Sequence, residues 1–517
     1  MFIMQAKEYV LAIDCGTQSI RGLIFDKVGT LVAKEVEIFN PPYFSLNSGW
    51  AERNAQLYWE DLIRIMNKLK KNYTNYFFKI CSISLTTQRD TCVLIDNNGS
   101  LLRPAILWVD QRKIKKPKSI NSIYNSATKL IGMKKTIEEF NRSCHAHWIQ
   151  ENEPEIWEKS YKYLMLSTFL IYKLTGNFID TPSAQTGHLP FNYKKKKWEH
   201  SYALKSNIFQ IPKEKLYPLI EAGELFGKIT QLAAKETGLL HGTPVIASGS
   251  DKACETLGVG CINNELGSIS LGSQATIETA TKKYYEAIKF IPPFPAIIPD
   301  VYNPEINVYR GYWMITWFKN EFALKELIQS KSKNISPEEL LDKRLNEIPP
   351  GCDGLILQPY WGKEIVRPES RGSIIGFNEQ HTRIHLYRAI IEGIGFALLD
   401  GLNCIENKSS KRIERLALSG GGAQSEIICQ IMADLFNREI YTVQTNETSG
   451  LGAAISSFVG MGVYNDFQSA VKGMVHEKSV YKPKVSNVKI YSELYNKVYK
   501  NIYKNLKGLY RNMEDIY

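Results

Sequence analysis

Apolar and polar positions alternate through the first forty residues and then change to a helical spacing. Residues 9–39 contain three runs with the period-two pattern of strands, separated by tight turns. Residues 54–70 instead place their apolar side chains on one helical face, at Leu57, Trp59, Leu62, Ile63, Met66 and Leu69. Two more strands are predicted at 79–86 and 91–96. Three antiparallel strands, a helix and a further strand form the layout of a ribonuclease-H-like α/β unit.

The second half of the chain repeats this order after a long helical insertion. Residues 113–240 are predicted to be mostly helical, with one hairpin near 186–198. A second glycine-containing hairpin, near 268–277, then begins another copy of the unit. Later elements are a strand at 413–418, an amphipathic helix at 425–437, a stretch of small residues suited to close helix packing at 450–462, and an amphipathic closing helix at 488–506. We therefore expect an α/β fold of two domains, residues 1–255 and 256–517, around a central nucleotide-binding cleft.

Chain length, composition and charge exclude several classes of protein. A chain of 517 residues is too long for one hydrophobic core, and no apolar run approaches the length of a membrane helix. Nine cysteines without a Cys-x-x-Cys pair, and a start without a signal-peptide layout, predict free thiols in the cytoplasm. The net charge is +11, but the one dense basic run, Lys194–Lys197, is interpreted as a solvated hairpin tip. Neither a nucleic acid nor a membrane is expected as a partner.

Three glycine-rich turns carry the strongest chemical signal. Two of them are hairpins, Asp14-Cys-Gly-Thr-Gln-Ser-Ile-Arg21 and Leu271-Gly-Ser-Gln-Ala275. The third, Ser419-Gly-Gly-Gly-Ala-Gln-Ser425, lies between a predicted strand and a predicted helix. Backbone N–H groups in such turns, and at the start of a helix, form concavities that bind anions. Two matched hairpins are suited to holding a polyphosphate between them.

Two aspartates stand where such a ligand would need carboxylates. Asp14 follows a buried strand and precedes a phosphate-type turn, so it can hold Mg²⁺, which prefers a few carboxylates together with phosphate oxygens. Asp251 follows Gly249 and Ser250 at the hinge between the two copies, where a carboxylate can accept a proton from an alcohol. The structural alternatives are a turn-capping Asp14 and a helix-capping Asp251.

A third cluster suits a polyol. Arg89 and Asp90 in the turn Gln88–Thr91 offer donors and acceptors for several hydroxyls, and Trp108, followed by Asp110, offers an aromatic face for C–H bonds. A surface ion pair beside a core tryptophan is the structural alternative.

Taken together, these motifs resemble those of the FGGY carbohydrate kinases, over residues 9 to about 470. The motifs that carry the resemblance are Asp14–Arg21, Gly49-Trp-Ala-Glu52, Gln88-Arg-Asp-Thr91, Leu107-Trp-Val-Asp110, Gly249-Ser-Asp251, Leu271-Gly-Ser273 and Ser419–Ser425. The resemblance implies two actin-like domains, the N-terminal one binding the sugar and the C-terminal one most of the ATP. It implies a cytoplasmic enzyme that uses ATP and Mg²⁺ to phosphorylate a ketose or a polyol, and it makes a homodimer one of the expected assemblies.

The resemblance also implies a role for each matching residue. Asp251 corresponds to the catalytic base. The expected ATP-binding residues are Asp14, Thr17, Gln18, Arg21, Gly272, Ser273, Gly421, Gly422, Gln424 and Ser425. The expected metal-associated residues are Asp14 and Asp251. The expected acceptor-binding residues are Gln88, Arg89, Asp90, Trp108, Phe140 and Asp251.

Departures from the family pattern bear on the acceptor. The turn Gln88–Thr91 resembles the Gln-Arg-Glu-Thr of glycerol kinase, whereas Leu102-Arg-Pro-Ala-Ile-Leu-Trp108 resembles the xylulokinases. A gapless match through Trp148 places Phe140 where glycerol kinases have a tyrosine, and His145 where a lysine is common. The acceptor is left open between a ketose, such as xylulose or ribulose, and a polyol, such as glycerol. Two other functions stay open at this point: an acceptor-independent ATPase switch and a non-catalytic sugar sensor.

Overall fold

The computed structural model describes residues 8–362, 364 and 366–516, which form two compact units. The first unit contains the chain up to Gly258 together with Phe294–Val301 and Glu447–Val475. The second contains Val259–Pro293, Tyr302–Asn446 and the chain from His476 onward. No helix among the described residues is long and apolar enough to cross a membrane.

A six-stranded mixed sheet forms the centre of the first unit. Its strands are β1 (Tyr9–Cys15), β2 (Ser19–Asp26), β3 (Leu31–Ile38), β4 (Ile80–Thr87), β5 (Leu225–Lys228) and β6 (Pro244–Ile246). They are arranged in the order β5-β6-β4-β1-β2-β3, with β1 antiparallel to β2 and parallel to β4. Side chains of β1 and β4 are buried along nearly their whole length, as expected for central strands.

The sheet of the second unit has the same order. Its strands are β7 (Leu266–Leu271), β8 (Ala275–Thr279), β9 (Glu305–Val308), β10 (Arg415–Gly420), β11 (Glu439–Val443) and β12 (Glu477–Tyr481). They are arranged as β9-β8-β7-β10-β11-β12, with β7 antiparallel to β8 and parallel to β10. Each sheet thus contains a hairpin, a third antiparallel strand, two further strands parallel to the first strand of the hairpin, and an antiparallel edge strand, so the predicted duplication is confirmed.

Helices cover both sheets. In the first unit they are Ala55–Asn72, Thr74–Phe77, Ser122–Leu130, Lys134–Ser143, His145–Asn152, Pro154–Lys159, Leu166–Thr175, Leu204–Phe209, Gln231–Thr237, Asp251–Gly258, Thr448–Gly460 and Phe467–Met474. In the second they are Trp313–Phe322, Leu324–Lys333, Pro337–Asp342, Arg383–Ser409, Glu426–Phe436, Val485–Leu494 and Lys500–Ile516, the last two joined by a π-helical turn at Tyr495–Tyr499. The closing helix packs its tyrosines into the core of the second unit.

Short strands lie outside the two sheets. A four-stranded sheet of the first unit contains Glu52–Arg53, Ala105–Ile106, Cys92–Ile95 and Lys162–Met165. The predicted hairpin near 186–198 is present as Phe191–Asn192 and Lys197–Trp198, and the lysine run forms its tip. The remaining short strands are Phe294–Pro295, Tyr302–Asn303, Ile356–Gln358 and Ser373–Ile375.

Two helices, Thr448–Gly460 and Phe467–Met474, depart from the expected domain division, because both lie in the first unit. Thr448–Gly460 lies within the predicted second domain, 256–517, yet it packs in the first unit against Asp251–Gly258. A Cβ on Gly258 would come within 2.0 Å of the Thr448 carbonyl oxygen, and one on Gly452 within 1.9 Å of the Cys254 carbonyl oxygen. Glycine at these two positions therefore allows the backbones of the two helices to be in contact, and the sequence pattern alone does not predict this contact. The division at 255/256 stays a prediction.

Candidate active site

The first glycine-rich hairpin brings a carboxylate and a guanidinium together. Asp14 near the end of β1 is the cross-strand partner of Arg21 on β2, and Arg21 Nη1 donates to Asp14 Oδ2 at 2.9 Å. Asp14 is only 6% exposed. Burial raises its pKa to about 6 despite the attraction of Arg21, and the charges of Asp251 and Glu447 add to the rise. The two predicted carboxylates, Asp14 and Asp251, are thus electrostatic neighbours within the first unit.

Glu447 belongs to the same cluster, although no sequence motif predicted it. It is the N-cap residue of the helix Thr448–Gly460, which carries it to the first unit. Its carboxylate lies 3.6 Å from Arg21 Nε and also pairs with Lys34. The only local signal is an acidic residue directly before a run of small helical residues.

Asp251 lies at the first position of the helix Asp251–Gly258. Its Oδ1 accepts a hydrogen bond from the backbone N–H of Lys252 at 2.8 Å. Burial raises the pKa of Asp251, whereas the positive charges of Arg89 and Lys252 lower it. The preceding Gly249 allows the chain to pass close to its neighbours, because a Cβ there would come within 2.4 Å of Ile297. A carboxylate with a raised pKa beside an arginine can accept a proton from an alcohol.

A hydrogen-bonded chain joins the phosphate-type turn to the polyol cluster. Thr17 Oγ1 donates to Gln88 Oε1 at 2.7 Å and accepts from Trp108 Nε1 at 2.8 Å. Gln88 Nε2 in turn donates to the Tyr58 hydroxyl at 3.2 Å. Since a hydroxyl has one proton, Thr17 has none left to donate to a phosphate while this chain is intact. The neighbouring Gln18 accepts from the backbone N–H of Phe39 through its carbonyl oxygen.

Asp90 is paired within the protein. Its Oδ2 lies 2.9 Å from His188 Nδ1, and its Oδ1 accepts from the His188 backbone N–H at 3.3 Å. The approach requires Gly187, where a Cβ would come within 2.2 Å of the Asp90 carboxylate. Arg89 places its guanidinium 4.9 Å from the ring centre of Phe294, and Phe140 lies edge-on to His188 at 6.5 Å.

Asp110, in contrast, is part of a structural network. It accepts from the backbone N–H of Ala51 and from Arg112, whose guanidinium lies 4.0 Å from the Trp50 ring and 4.5 Å from the Trp148 ring. The carboxylate of Asp110 is fully buried in these contacts. The motif Gly49–Glu52 thereby supports the turn that carries Trp108.

The two remaining glycine-rich turns lie in the second unit. Gly272 and Ser273 join β7 to β8, and their carbonyl oxygens accept from the backbone N–H groups of Tyr312 and Trp313. Gly421, Gly422 and Gln424 form a 3₁₀ turn after β10, where a Cβ on Gly422 would come within 2.4 Å of the Tyr312 hydroxyl. Ser425 is the N-cap residue of the helix Glu426–Phe436, and its side chain makes no capping hydrogen bond.

Comparison with known proteins shows the family to which this chain belongs. A family model described as the N-terminal domain of the FGGY family of carbohydrate kinases matches residues 9–258, and the model of its C-terminal domain matches 267–461. The chain belongs to the FGGY family of carbohydrate kinases, as the motifs indicated, and is itself a carbohydrate kinase.

Individual relatives are similar over almost their whole length. A xylulose kinase of Lactococcus lactis is 30% identical and is matched over 98% of this chain and 97% of its own. A gluconokinase of Bacillus subtilis is 26% identical, with 94% of each chain covered. The crystal structure of a ligand-bound xylulose kinase from Lactobacillus acidophilus shares the fold, with a TM-score of 0.79 at 22% identity over 98% of this chain and 99% of that one.

Proposed function

We propose that this kinase transfers a phosphoryl group from ATP to a hydroxyl of a ketose or polyol, with Asp251 as general base. The observation that carries the proposal is the buried cluster of the first unit, in which Asp14 and Asp251 interact electrostatically and each has a neighbouring arginine. Buried carboxylates with raised pKa values and specific charge partners mark functional sites.

The donor set fits magnesium and a nucleotide. No group of three or more metal-ligating side chains occurs within residues 8–362, 364 and 366–516. Mg²⁺ needs only one or two carboxylates when phosphates and water complete its shell, and bound Mg²⁺ supplies charge neutralisation on the phosphates. Asp14, with Asp251, would hold it, since a nearby cation favours the ionised form of a buried carboxylate.

Nucleotide binding would use backbone groups of the three turns. Gly272, Ser273 and the uncapped helix start after Ser425 present N–H donors suited to an anion. The nucleoside would lie against Gly421, Gly422 and Gln424. In the first hairpin we assign phosphate contact to Arg21 and to the backbone of Thr17 and Gln18.

The transfer step then follows from the chain's own residues. Arg89 and the Gln88–Thr17–Trp108 chain would orient the acceptor so that one hydroxyl faces Asp251. Asp251 accepts that proton while the hydroxyl oxygen forms a bond to the γ-phosphorus and the bond from phosphorus to the β,γ-bridging oxygen breaks, which releases ADP. Arg21 stabilises negative charge on the phosphoryl oxygens. General-base action of this kind contributes about 10²–10⁴-fold.

A coupled assay of ADP release tests the proposal. MgATP is supplied with xylulose, ribulose, glycerol, xylitol, ribitol or gluconate, and the Asp251→Asn variant is the matched control. We expect one acceptor class to stimulate ADP release through Asp251. ADP release that is indifferent to every acceptor would indicate an ATPase switch, and silence despite ATP binding would indicate a sugar sensor.

Two further assignments belong to this proposal. Nine cysteines, all free thiols, support a reducing compartment, which we take to be the cytoplasm. A homodimer is also proposed, and light scattering of the purified chain would decide it.

A further inference from the structure

The carboxylate of Glu447 lies at the first hairpin, yet the proposed transfer step gives it no role. Its Oε2 lies 3.6 Å from Arg21 Nε, and its Oε1 pairs with Lys34 Nζ. The Glu447 side chain is only 13% exposed, so the carboxylate is held largely out of water between two cations. A carboxylate in such a position needs charge partners, because burying an unpaired one is costly.

Helix capping does not account for this side chain. Glu447 is the N-cap residue of the helix Thr448–Gly460, a position where a side-chain oxygen usually accepts a hydrogen bond from the first turn. The Glu447 side chain makes no such bond. It extends instead to Arg21 on β2 and to Lys34 on β3. The carboxylate therefore acts on the hairpin and not on its own helix.

The helix that carries Glu447 is fixed to the strands of the first unit. Gly450 lies against β2, where an added Cβ would come within 2.2 Å of the Leu23 side chain. On β4, Ser84 Oγ donates to the Ala453 carbonyl oxygen at 2.8 Å. Glu447 thus has a defined position relative to β2, the strand that also carries its arginine partner.

Arg21 is held at two edges of its guanidinium. Nη1 donates to Asp14 Oδ2 at 2.9 Å, and Nε pairs with Glu447 at 3.6 Å. A single contact at Nη1 would let the planar group swing about that contact, whereas contacts at two nitrogens fix its plane. The third nitrogen, Nη2, makes no hydrogen bond to any residue that the structure describes, and the Arg21 side chain is 34% exposed. Nη2 is therefore left to donate to a phosphoryl oxygen.

We propose that Glu447 is a positioning residue, which orients the Arg21 guanidinium so that Nη2 donates to the phosphoryl group during transfer. Glu447 itself touches neither ATP nor the acceptor. The inference rests on the proposed kinase function, in which Arg21 stabilises charge on the phosphoryl oxygens. Such stabilisation depends on donors that are oriented before the reaction, so the loss of Glu447 slows transfer more than it weakens acceptor binding.

Two variants at position 447 test the orienting role. Glu447→Met keeps the length of the side chain but removes its acceptor atoms, whereas Glu447→Gln keeps an oxygen that can accept from Arg21 Nε. We expect the methionine variant to lower kcat by about 10- to 100-fold, up to the loss that a displacement of about 1 Å can cause, with KM for the acceptor within about twofold of wild type. The glutamine variant is expected to recover most of that loss. A glutamine variant as slow as the methionine variant would contradict an orienting contact.

Lys34→Met is the matched control. It removes the second cation of Glu447 and leaves the contact between Glu447 and Arg21 in place. The Lys34 side chain is 42% exposed, and we expect its loss to leave kcat within about twofold of wild type. A loss as large as that of Glu447→Met would show that the cluster serves stability and not transfer. Thermal melts of every variant monitor folding.

A double-mutant cycle shows whether Glu447 acts through Arg21. In the Arg21→Met background, Glu447→Met should change kcat by less than about twofold, because the group to be oriented is already absent. Equal factors in both backgrounds would mean that Glu447 acts independently of Arg21, and would overturn the inference.

The outcomes separate the two proposals. An active wild type whose kcat is unchanged in Glu447→Met overturns the positioning inference alone. If the methionine variant does not fold, Glu447→Asp takes its place: aspartate keeps the charge but is a methylene shorter, so a kcat equal to wild type overturns the inference in the same way. A wild type that no acceptor stimulates, although isothermal calorimetry shows ATP binding, overturns the kinase function and this inference with it.

Discussion

Asp14 and Arg21 face each other across the first hairpin, and their side chains form a 2.9 Å salt bridge. The Nε of the same guanidinium lies 3.6 Å from the Glu447 carboxylate. Asp14 is the more buried partner, so its ionised form depends on Arg21. The ionisation of Asp14 is therefore coupled to Arg21, the residue that we propose contacts the phosphates.

Removing Arg21 should destabilise the protein through Asp14. Arg21→Met leaves a buried carboxylate without its cation, and we expect a loss of about 1–2 kcal/mol, less than for a fully buried pair because the Arg21 side chain is 34% exposed. Asp14→Asn in the Arg21→Met background should recover part of that loss in urea denaturation. Additive losses would show that the two residues do not interact.

Asp251→Asn should separate chemistry from nucleotide binding. Asparagine has a similar shape but cannot accept the acceptor proton, so we expect kcat to fall by about 10²–10⁴-fold. The affinity for ATP measured without Mg²⁺ should stay within about twofold, because the Asp251 carboxylate is assigned to the acceptor proton and the metal and not to the nucleotide. Single-turnover kinetics and calorimetry measure the two quantities. Parallel losses in both would assign Asp251 a structural role at the start of its helix.

Thr17→Val should weaken acceptor binding, although Thr17 lies in the phosphate-type turn. Valine keeps the shape but removes the bonds to Gln88 and Trp108, so we expect KM for the acceptor to rise about 5- to 20-fold. Thr17→Ser retains the hydroxyl and should behave like wild type. If valine instead raised KM for ATP alone, the hydroxyl would act on the phosphates.

The Asp90–His188 pair should stabilise the protein in a defined pH range. The pKa of His188 is raised, so its contribution is complete below about 6.5, its unfolded value, and is lost as the pH rises through the folded pKa. The pKa of Asp90 is lowered by His188 despite burial, so its contribution is lost only at acidic pH. His188→Gln should therefore cost about 1 kcal/mol more at pH 6 than at pH 9 in chemical denaturation. An equal cost at both values would mean that His188 is neutral in the folded protein.

Gly452→Ala tests the helix packing that completes the first unit. The new Cβ would lie 1.9 Å from a backbone oxygen, which cannot move aside as a side chain can, so we expect a loss of about 3 kcal/mol or more. Gly508, on the helix Lys500–Ile516, is the control, because a Cβ added there would meet no atom of the described residues within 4 Å. Gly508→Ala should stabilise by up to about 1 kcal/mol. Similar effects at both positions would contradict the close helix contact.

Local pattern was enough to predict both hairpins, the helix Ala55–Asn72 and the glycine-rich turns, because strand and helix periods and turn residues are properties of neighbouring positions. The family, and with it the class of enzyme, followed from motif residues that are short and contiguous. Asp14, Arg21 and Asp251 could be proposed as active-site residues from the same motifs.

Only the tertiary structure decided which distant side chains meet. The pairing of Asp90 with His188 joins positions 98 residues apart, and Glu447 reaches Arg21 only because the helix that follows it packs in the first unit. The burial that raises the pKa of Asp14, and the Asp90 charge that raises the pKa of His188, depend on groups from several segments. Burial and electrostatics act through space, so these properties have no signature in the order of residues alone.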